Sequence, residues 1–157
     1  MASCTGRQRL WVRALDTIEA QPLAMTGGSA RGGAWSADGT ILFARTATSG
    51  LSHIATGGEP MEVTRHDPPR QISHRFPQFL PEGRHFIFYA TGPEESSGIY
   101  LGSLDGEEPS RLTDADSSGA FMEPDRVVVI QQGTLIARIR PGTYSVETGM
   151  SSRDASD

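Results

Sequence analysis

The chain has 157 residues, of which 36% are hydrophobic, 18 are glycine and 10 are proline. This balance favours one domain of short strands and many turns over long helices. A formal net charge of −5 argues against nucleic acid as a partner, because phosphate binding needs a basic surface. The single cysteine, Cys4, excludes an internal disulfide and a cysteine-ligated metal cluster.

Apolar residues cluster in short runs that are separated by glycine, proline and acidic turn residues, which is typical of β-strands. A proline-containing linker, residues 65–74, lies between two groups of runs and cannot itself be a central strand. The predicted strands are residues 9–15, 20–25, 34–36, 40–45, 51–56, 61–64, 76–80, 85–91, 98–104, 110–113, 119–121, 126–132 and 134–139.

The run Phe86-Ile87-Phe88-Tyr89 is apolar without interruption, whereas a strand with one wet face alternates apolar and polar residues. We therefore predict that its sheet lies between two others. The runs around Phe43 and Val128 are of the same kind, so residues 40–45, 85–91 and 126–132 are predicted to be the most buried strands of three successive sheets.

Similar residues recur at a fixed interval along the chain. Gly39 and Gly83 are 44 residues apart (83 − 39), as are Trp35 and Phe79 (79 − 35), and Phe121 follows Phe79 by 42 (121 − 79). A period of about 40–45 residues with four strands per unit is typical of β-propeller blades. The glycines at 39 and 83 provide the positive φ of a tight hairpin, whereas the third unit has Asp125 there.

The predicted fold is therefore all-β, with blades of four antiparallel strands, and incomplete: about three blades in an open arc. Trp11 and Trp35 are predicted to fill space between blades. The predicted boundaries are a disordered N-terminus 1–8, a propeller segment 9–141 (half blade 9–25, blades 33–64, 75–113 and 119–141) and a disordered tail 142–157.

WSADG at residues 35–39, followed by ILFA, and FLPEGRHFIFY at residues 79–89 resemble the repeats of TolB-like, WD-like β-propellers. The set from residue 10 to residue 139 most resembles propellers fused to bacterial serine/threonine protein kinases. In that family a cytoplasmic kinase domain precedes a membrane helix and an extracytoplasmic propeller. The resemblance implies a sensor or scaffold module that binds a protein or a small ligand through its loops.

The sequence departs from that family in two respects. It contains no Gly-rich ATP loop, HRD or DFG motif, so the resemblance transfers no phosphoryl-transfer residue to this chain. Between Leu23 and Gly32, where the family has up to a further blade, only AMTGGSAR is present. These departures lead us to expect a fragment of a larger protein.

Four histidines are the candidate ligands: His53, His66, His74 and His85. None has the close spacing of a compact metal site, so no metal or other cofactor is predicted. His66 and His74 share a loop with Asp67, which leaves an anion or metal site open beside a purely structural role. Arg75 would start an innermost strand, facing either a ligand or an ion-pair partner. His66, His74 and Arg75 are thus the candidate ligand-facing residues.

The sequence lacks a G-x-S-x-G nucleophile elbow, and we predict no catalytic residues and no enzymatic activity. The alternative is a propeller cap from a prolyl-oligopeptidase-type serine hydrolase. No apolar run approaches the ~20 residues of a membrane helix, and residues 1–10 have no signal-peptide core. The chain as written is expected in the cytoplasm, or outside it if part of a longer anchored protein, and its uncovered blade faces are expected to allow self-association.

Overall fold

The computed structural model describes residues 8–27, 30–55 and 58–139. Over these ranges the protein is all-β, as predicted, and contains no helix that is long and apolar enough to cross a membrane. The strands are β1 (Gln8–Val12), β2 (Gln21–Thr26), β3 (Gly33–Trp35), β4 (Ile41–Ala44), β5 (Leu51–Ile54), β6 (Met61–Glu62), β7 (Ser73–Phe79), β8 (His85–Thr91), β9 (Gly98–Ser103), β10 (Ser110–Thr113), β11 (Ala120–Met122), β12 (Arg126–Gln131) and β13 (Thr134–Ile139).

The strands form four antiparallel sheets, each made of strands that are consecutive in the chain. Sheet 1 contains β1 and β2, sheet 2 contains β3 to β6, sheet 3 contains β7 to β10, and sheet 4 contains β11 to β13. Neighbours in sequence are neighbours in each sheet, so sheets 2 and 3 are four-stranded meanders with the same strand order. None of the four sheets closes on itself.

Sheet 3 lies between sheets 2 and 4, which confirms the prediction made from the apolar run in β8. Successive side chains of a strand point to opposite faces. Accordingly Phe86 and Phe88 pack towards sheet 2, whereas Ile87 packs towards sheet 4. The first cluster contains Leu42, Ala44, Leu51, Phe86, Phe88, Ala90 and Tyr100. The second contains Leu80, Ile87, Ile99, Ala115, Val127 and Val129.

The two predicted glycine turns have the expected backbone conformation. Gly39 has a φ of 91° and Gly83 a φ of 72°, values that are costly for residues with a Cβ. In the first turn the Asp38 carboxylate also accepts the backbone N–H of Thr40 at 3.0 Å. The third turn has no such glycine, and Asp125 is not among the described residues with positive φ.

Several predicted boundaries need correction. The first strand was expected to span residues 9–15, but pairing ends where Val12 meets Gln21, and Leu15 lies fully exposed beyond it. Gln8, assigned to a disordered terminus, already pairs with Thr26. The predictions for residues 1–7, 56 and 140–157 fall outside the described residues.

The prediction that Trp11 and Trp35 fill space between sheets is wrong, because both side chains are more than half exposed. Strand alternation explains this, since each tryptophan points away from its inward-facing neighbours. Leu10 and Val12 are the partly buried residues beside Trp11, and Ala34 is the one beside Trp35.

β12 is less buried than its apolar run predicted. Val127 and Val129 are buried against sheet 3, but Val128 is only half-buried and Ile130 is 44% exposed. The cause is that no described residue covers the second face of sheet 4. The residues that share this outer face and are exposed on it are Met122, Ile130, Leu135 and Ile139.

We expect this outer face of sheet 4 to drive self-association, since large exposed apolar patches mark contact surfaces and β13 adds an open strand edge. Leu135→Lys is expected to shift sedimentation towards the 16.9 kDa monomer. Thr134→Lys is the control, because its side chain lies on the opposite face of the same strand. A wild-type chain that is monomeric at all concentrations would contradict the expectation, as would equal effects of the two lysines.

Candidate functional site

The candidate site is formed by the connections that lie at one end of the strands in the stacked sheets. Because antiparallel neighbours alternate in direction, the turns β4–β5, β8–β9 and β12–β13 emerge at the same edge as the links between sheets. We call this the loop edge; it contains residues 45–50, 63–72, 92–97, 114–119 and 132–133. Backbone bonds join its loops to neighbouring strands: His74 N–H donates to the Ser49 carbonyl, and Asp116 N–H to that of Ile130, each at 2.9 Å.

His74 lies under the loop edge and is only 1% exposed, so it does not contact a ligand directly. Its ring packs on Phe88, with centroids 4.6 Å apart. Nδ1 is 2.7 Å from the Thr64 hydroxyl, and Nε2 is 2.9 Å from Oε1 of Gln71. The hydroxyl in turn accepts the backbone N–H of Leu51 at 2.9 Å.

This chain of hydrogen bonds assigns the tautomer of His74. The Thr64 hydroxyl accepts the N–H of Leu51 and has one proton of its own to donate. Among the described residues, Nδ1 of His74 is the acceptor within reach of that proton. Nδ1 therefore accepts, and Nε2–H donates to Gln71. Burial, reinforced by the nearby charge of His66, lowers the pKa of His74 to about 4. The imidazole is thus neutral at physiological pH.

The other two candidate residues have different environments. His66 stands edge-on to His74, with ring centroids 6.4 Å apart, and is half-buried. Arg75 donates from Nε to the Ser73 hydroxyl at 2.7 Å and from Nη2 to the carbonyl of Ala47 at 3.3 Å. Its guanidinium therefore ties sheet 3 to the β4–β5 loop. Within the described ranges no three His, Cys, Asp or Glu side chains are grouped as metal ligands.

A groove of about 550 Å³, hereafter the first groove, opens at the loop edge beside Gln71. Gly92 shapes this region, since a Cβ at Gly92 would overlap the carbonyl oxygen of Arg70. The Ser96 hydroxyl donates to that same carbonyl. The lining residues are Arg65, Asp67, Arg70, Gln71, Glu95, Ser96, Tyr100, Glu108 and Pro109.

A second cavity of about 360 Å³ lies between the loops of sheets 3 and 4. It is acidic, since Glu94, Asp114 and Asp116 line it beside Tyr89. Desolvation, with a further contribution from Asp116, raises the pKa of the Tyr89 phenol. Asp114 is paired with Arg111 at 2.9 Å, and Asp116 accepts the backbone N–H of Gln132 at 2.6 Å. Two of the three carboxylates therefore already have partners.

Sequence reasoning identified the linker that carries the site and named Asp67 within it, but missed the other groove-lining residues. Arg70 and Gln71 belong to the predicted linker, where the positive charge of Arg70 beside the diproline was the one available signal. Tyr100 comes from β9 and meets them through the packing of sheet 3, which no local pattern encodes.

No known protein-family model matches the chain, and no curated protein shows a significant match. The chemistry of the loop edge and the repeat pattern of the sequence are therefore the observations that bear on function.

Proposed function

We propose that this chain is a β-propeller-type, TolB-like repeat segment that acts as a non-catalytic binding module, as a sensor or scaffold. The observation that carries the proposal is the repetition of one plan. Sheets 2 and 3 have the same four-strand order, and sheet 3 packs face to face between sheets 2 and 4. Their connections gather at one edge, where a groove and a cavity open. Such an edge presents variable loops on a rigid scaffold, which suits recognition.

The buried hydrogen bonds from Thr64 through His74 to Gln71 resemble a catalytic triad in their order of hydroxyl, imidazole and acceptor. Thr64 is only 2% exposed, so no substrate carbonyl can reach its oxygen. A histidine with a pKa of about 4 is also a weak general base at neutral pH. The chain of bonds is therefore better explained as a structural support for the loop edge than as a hydrolase centre.

The resemblance to propellers fused behind bacterial serine/threonine kinases supplies the wider context. In this proposal the chain belongs to a larger kinase-associated protein, and the loop edge binds a protein or small ligand. Ligand occupancy would order the loops between sheets 2, 3 and 4, because the first groove and the second cavity are both lined by residues from more than one connection.

Panning of phage-displayed random peptides on the purified protein tests the proposal. We expect enrichment of binders that Glu95→Arg at the loop edge weakens about tenfold, since this charge reversal alters a groove-lining side chain. Glu82→Arg is the matched control, because Glu82 lies in the β7–β8 turn at the opposite edge.

Failure to enrich any peptide above the level of the blank would overturn the proposal of a binding module. Equal weakening of peptide binding by Glu82→Arg and Glu95→Arg would overturn it as well. Turnover of ATP or of p-nitrophenyl acetate by the purified chain, abolished by a single substitution, would contradict its non-catalytic character.

A further inference from the structure

The first groove contains the guanidinium of Arg70, which has no partner within the part of the chain that the structure describes. Among the described residues, the Arg70 side chain makes no ion pair and no hydrogen bond, although its backbone is fixed through Ser96. Arg65, the other cation of the groove, is 3.6 Å from Glu62. An arginine presents a planar fork of donors that fits a carboxylate in a bidentate manner. Arg70 is thus available for an anionic group.

The orientation of Gln71 follows from the buried hydrogen-bond chain beneath it. His74 donates Nε2–H, so Gln71 must use its side-chain oxygen to accept that proton. Its NH₂ group is therefore left as a donor, and Gln71 also lines the first groove. The hydrogen bonds from Leu51 N–H through Thr64 to His74 thus determine that the nitrogen end of the Gln71 amide, and not its oxygen end, is free.

The remaining charges of the first groove restrict the ligand. Asp67, Glu95 and Glu108 line it and have no ion-pair partner among the described residues. With three carboxylates and two cations, the lining repels polyanions such as phosphate groups, yet favours a ligand that brings a positive charge beside its own carboxylate. Pro109 and Tyr100 also line the groove, although Tyr100 is only 8% exposed.

We propose that the first groove captures the free C-terminal carboxylate of a peptide that carries a basic side chain next to its last residue. Arg70 and the Gln71 amide donate to the carboxylate, and the groove's acids face the basic side chain. His74 is a positioning residue that acts through Gln71. This inference rests on the proposed binding function and names its ligand class. A volume of about 550 Å³ is within the usual range for a ligand site.

Calorimetric titration with three peptides tests the inference: acetyl-Gly-Lys-Ala with a free carboxylate, its C-terminal amide, and acetyl-Gly-Glu-Ala with a free carboxylate. The first is expected to bind at least about tenfold tighter than either of the others, since charge-assisted hydrogen bonds are the strong ones. Arg70→Gln should remove the preference for carboxylate over amide. Arg84→Gln should leave it unchanged, because Arg84 pairs with Asp105 away from the groove.

Gln71→Glu gives a sharper test of the amide, since it keeps an acceptor for His74 but replaces the free NH₂ with a negative oxygen. We expect it to abolish the carboxylate preference while the protein remains folded. Imidazole ¹⁵N shifts measured at pH 7 should report the Nε2–H tautomer of His74. A purely space-filling role of the ring would not require either tautomer.

Equal affinity for the acid and the amide would overturn the inference, as would an Nδ1–H tautomer or carboxylate binding that survives Arg70→Gln. Absence of binding by all three peptides would also overturn it. These results leave the proposed function standing if panning still yields binders that Glu95→Arg weakens, so the two failures are distinguishable.

Discussion

Replacing Phe88 by alanine is expected to lower the free energy of unfolding by about 3–5 kcal/mol. The side chain is 1% exposed at the centre of the cluster between sheets 2 and 3. Its ring centroid lies 4.6 Å from that of His74, 5.7 Å from that of Tyr100 and 6.0 Å from that of Phe86. Truncation would leave a cavity that three rings on one rigid sheet cannot fill. Because small domains have only about 5–15 kcal/mol of stability, the loss is large.

Urea denaturation measures this effect, with Leu15→Ala as the control. Leu15 is fully exposed beyond β1 and lies outside the outer face of sheet 4, so its truncation should change the unfolding free energy by less than about 0.5 kcal/mol. A Phe88→Ala loss below about 1 kcal/mol would mean that the two sheets are not firmly packed against each other.

Much of the fold follows from local sequence signals. The bounds of β8, residues 85–91, were predicted correctly because an unbroken aromatic and aliphatic run lies between turn residues. Gly39 and Gly83 adopt the positive φ that their hairpins require. These features succeed because each depends on backbone conformation or on strand alternation within a few residues.

The errors arise where burial depends on a distant partner. The apolar run in β12 resembles that in β8, yet Ile130 is 44% exposed, because no described residue covers its face of sheet 4. A run of apolar residues carries no information on whether another sheet covers the strand. Trp35 is exposed for a related reason, since the sequence identified a strand but not which face the edge strand β3 turns inward. The first groove could not be predicted, because Arg70, Tyr100 and Glu108 come together only through the packing of sheet 3 and its linker.

His74 shows how sequence can single out a residue without deciding its environment. Its place in the linker with His66 and Asp67 left open either an anion or metal site or a purely structural role. The structure places the ring beneath the linker, between Thr64 and Gln71, so that any influence on a ligand passes through Gln71. Composition cannot distinguish these cases, because the decision depends on whether residues 63–72 fold over the ring.

The stability of the protein is expected to fall by about 2–3 kcal/mol between pH 7 and pH 4 through His74 alone. Burial is the main cause, with a smaller effect from the charge of His66, and together they lower the pKa of His74 from 6.5 to about 4. The unfolded chain therefore binds more protons than the folded protein between these values. The stability that depends on a neutral His74 is fully present above pH 6.5 and is lost as the pH falls towards 4.

Urea denaturation at intervals from pH 4.5 to 7.5 measures the slope, compared between wild type and His74→Leu to remove the common effect of carboxylates. His74→Leu should be less stable at pH 7, because Thr64 and Gln71 lose a buried partner, but it should show a flatter dependence on pH. Leu51→Ala is the matched control: Leu51 is buried in the cluster between sheets 2 and 3, so its truncation should lower the stability at pH 7 but retain the wild-type slope, because it removes no titratable group. Equal slopes in wild type and His74→Leu would show that the imidazole takes up its proton without disturbing the fold, and the assignment of a buried neutral histidine would then be wrong.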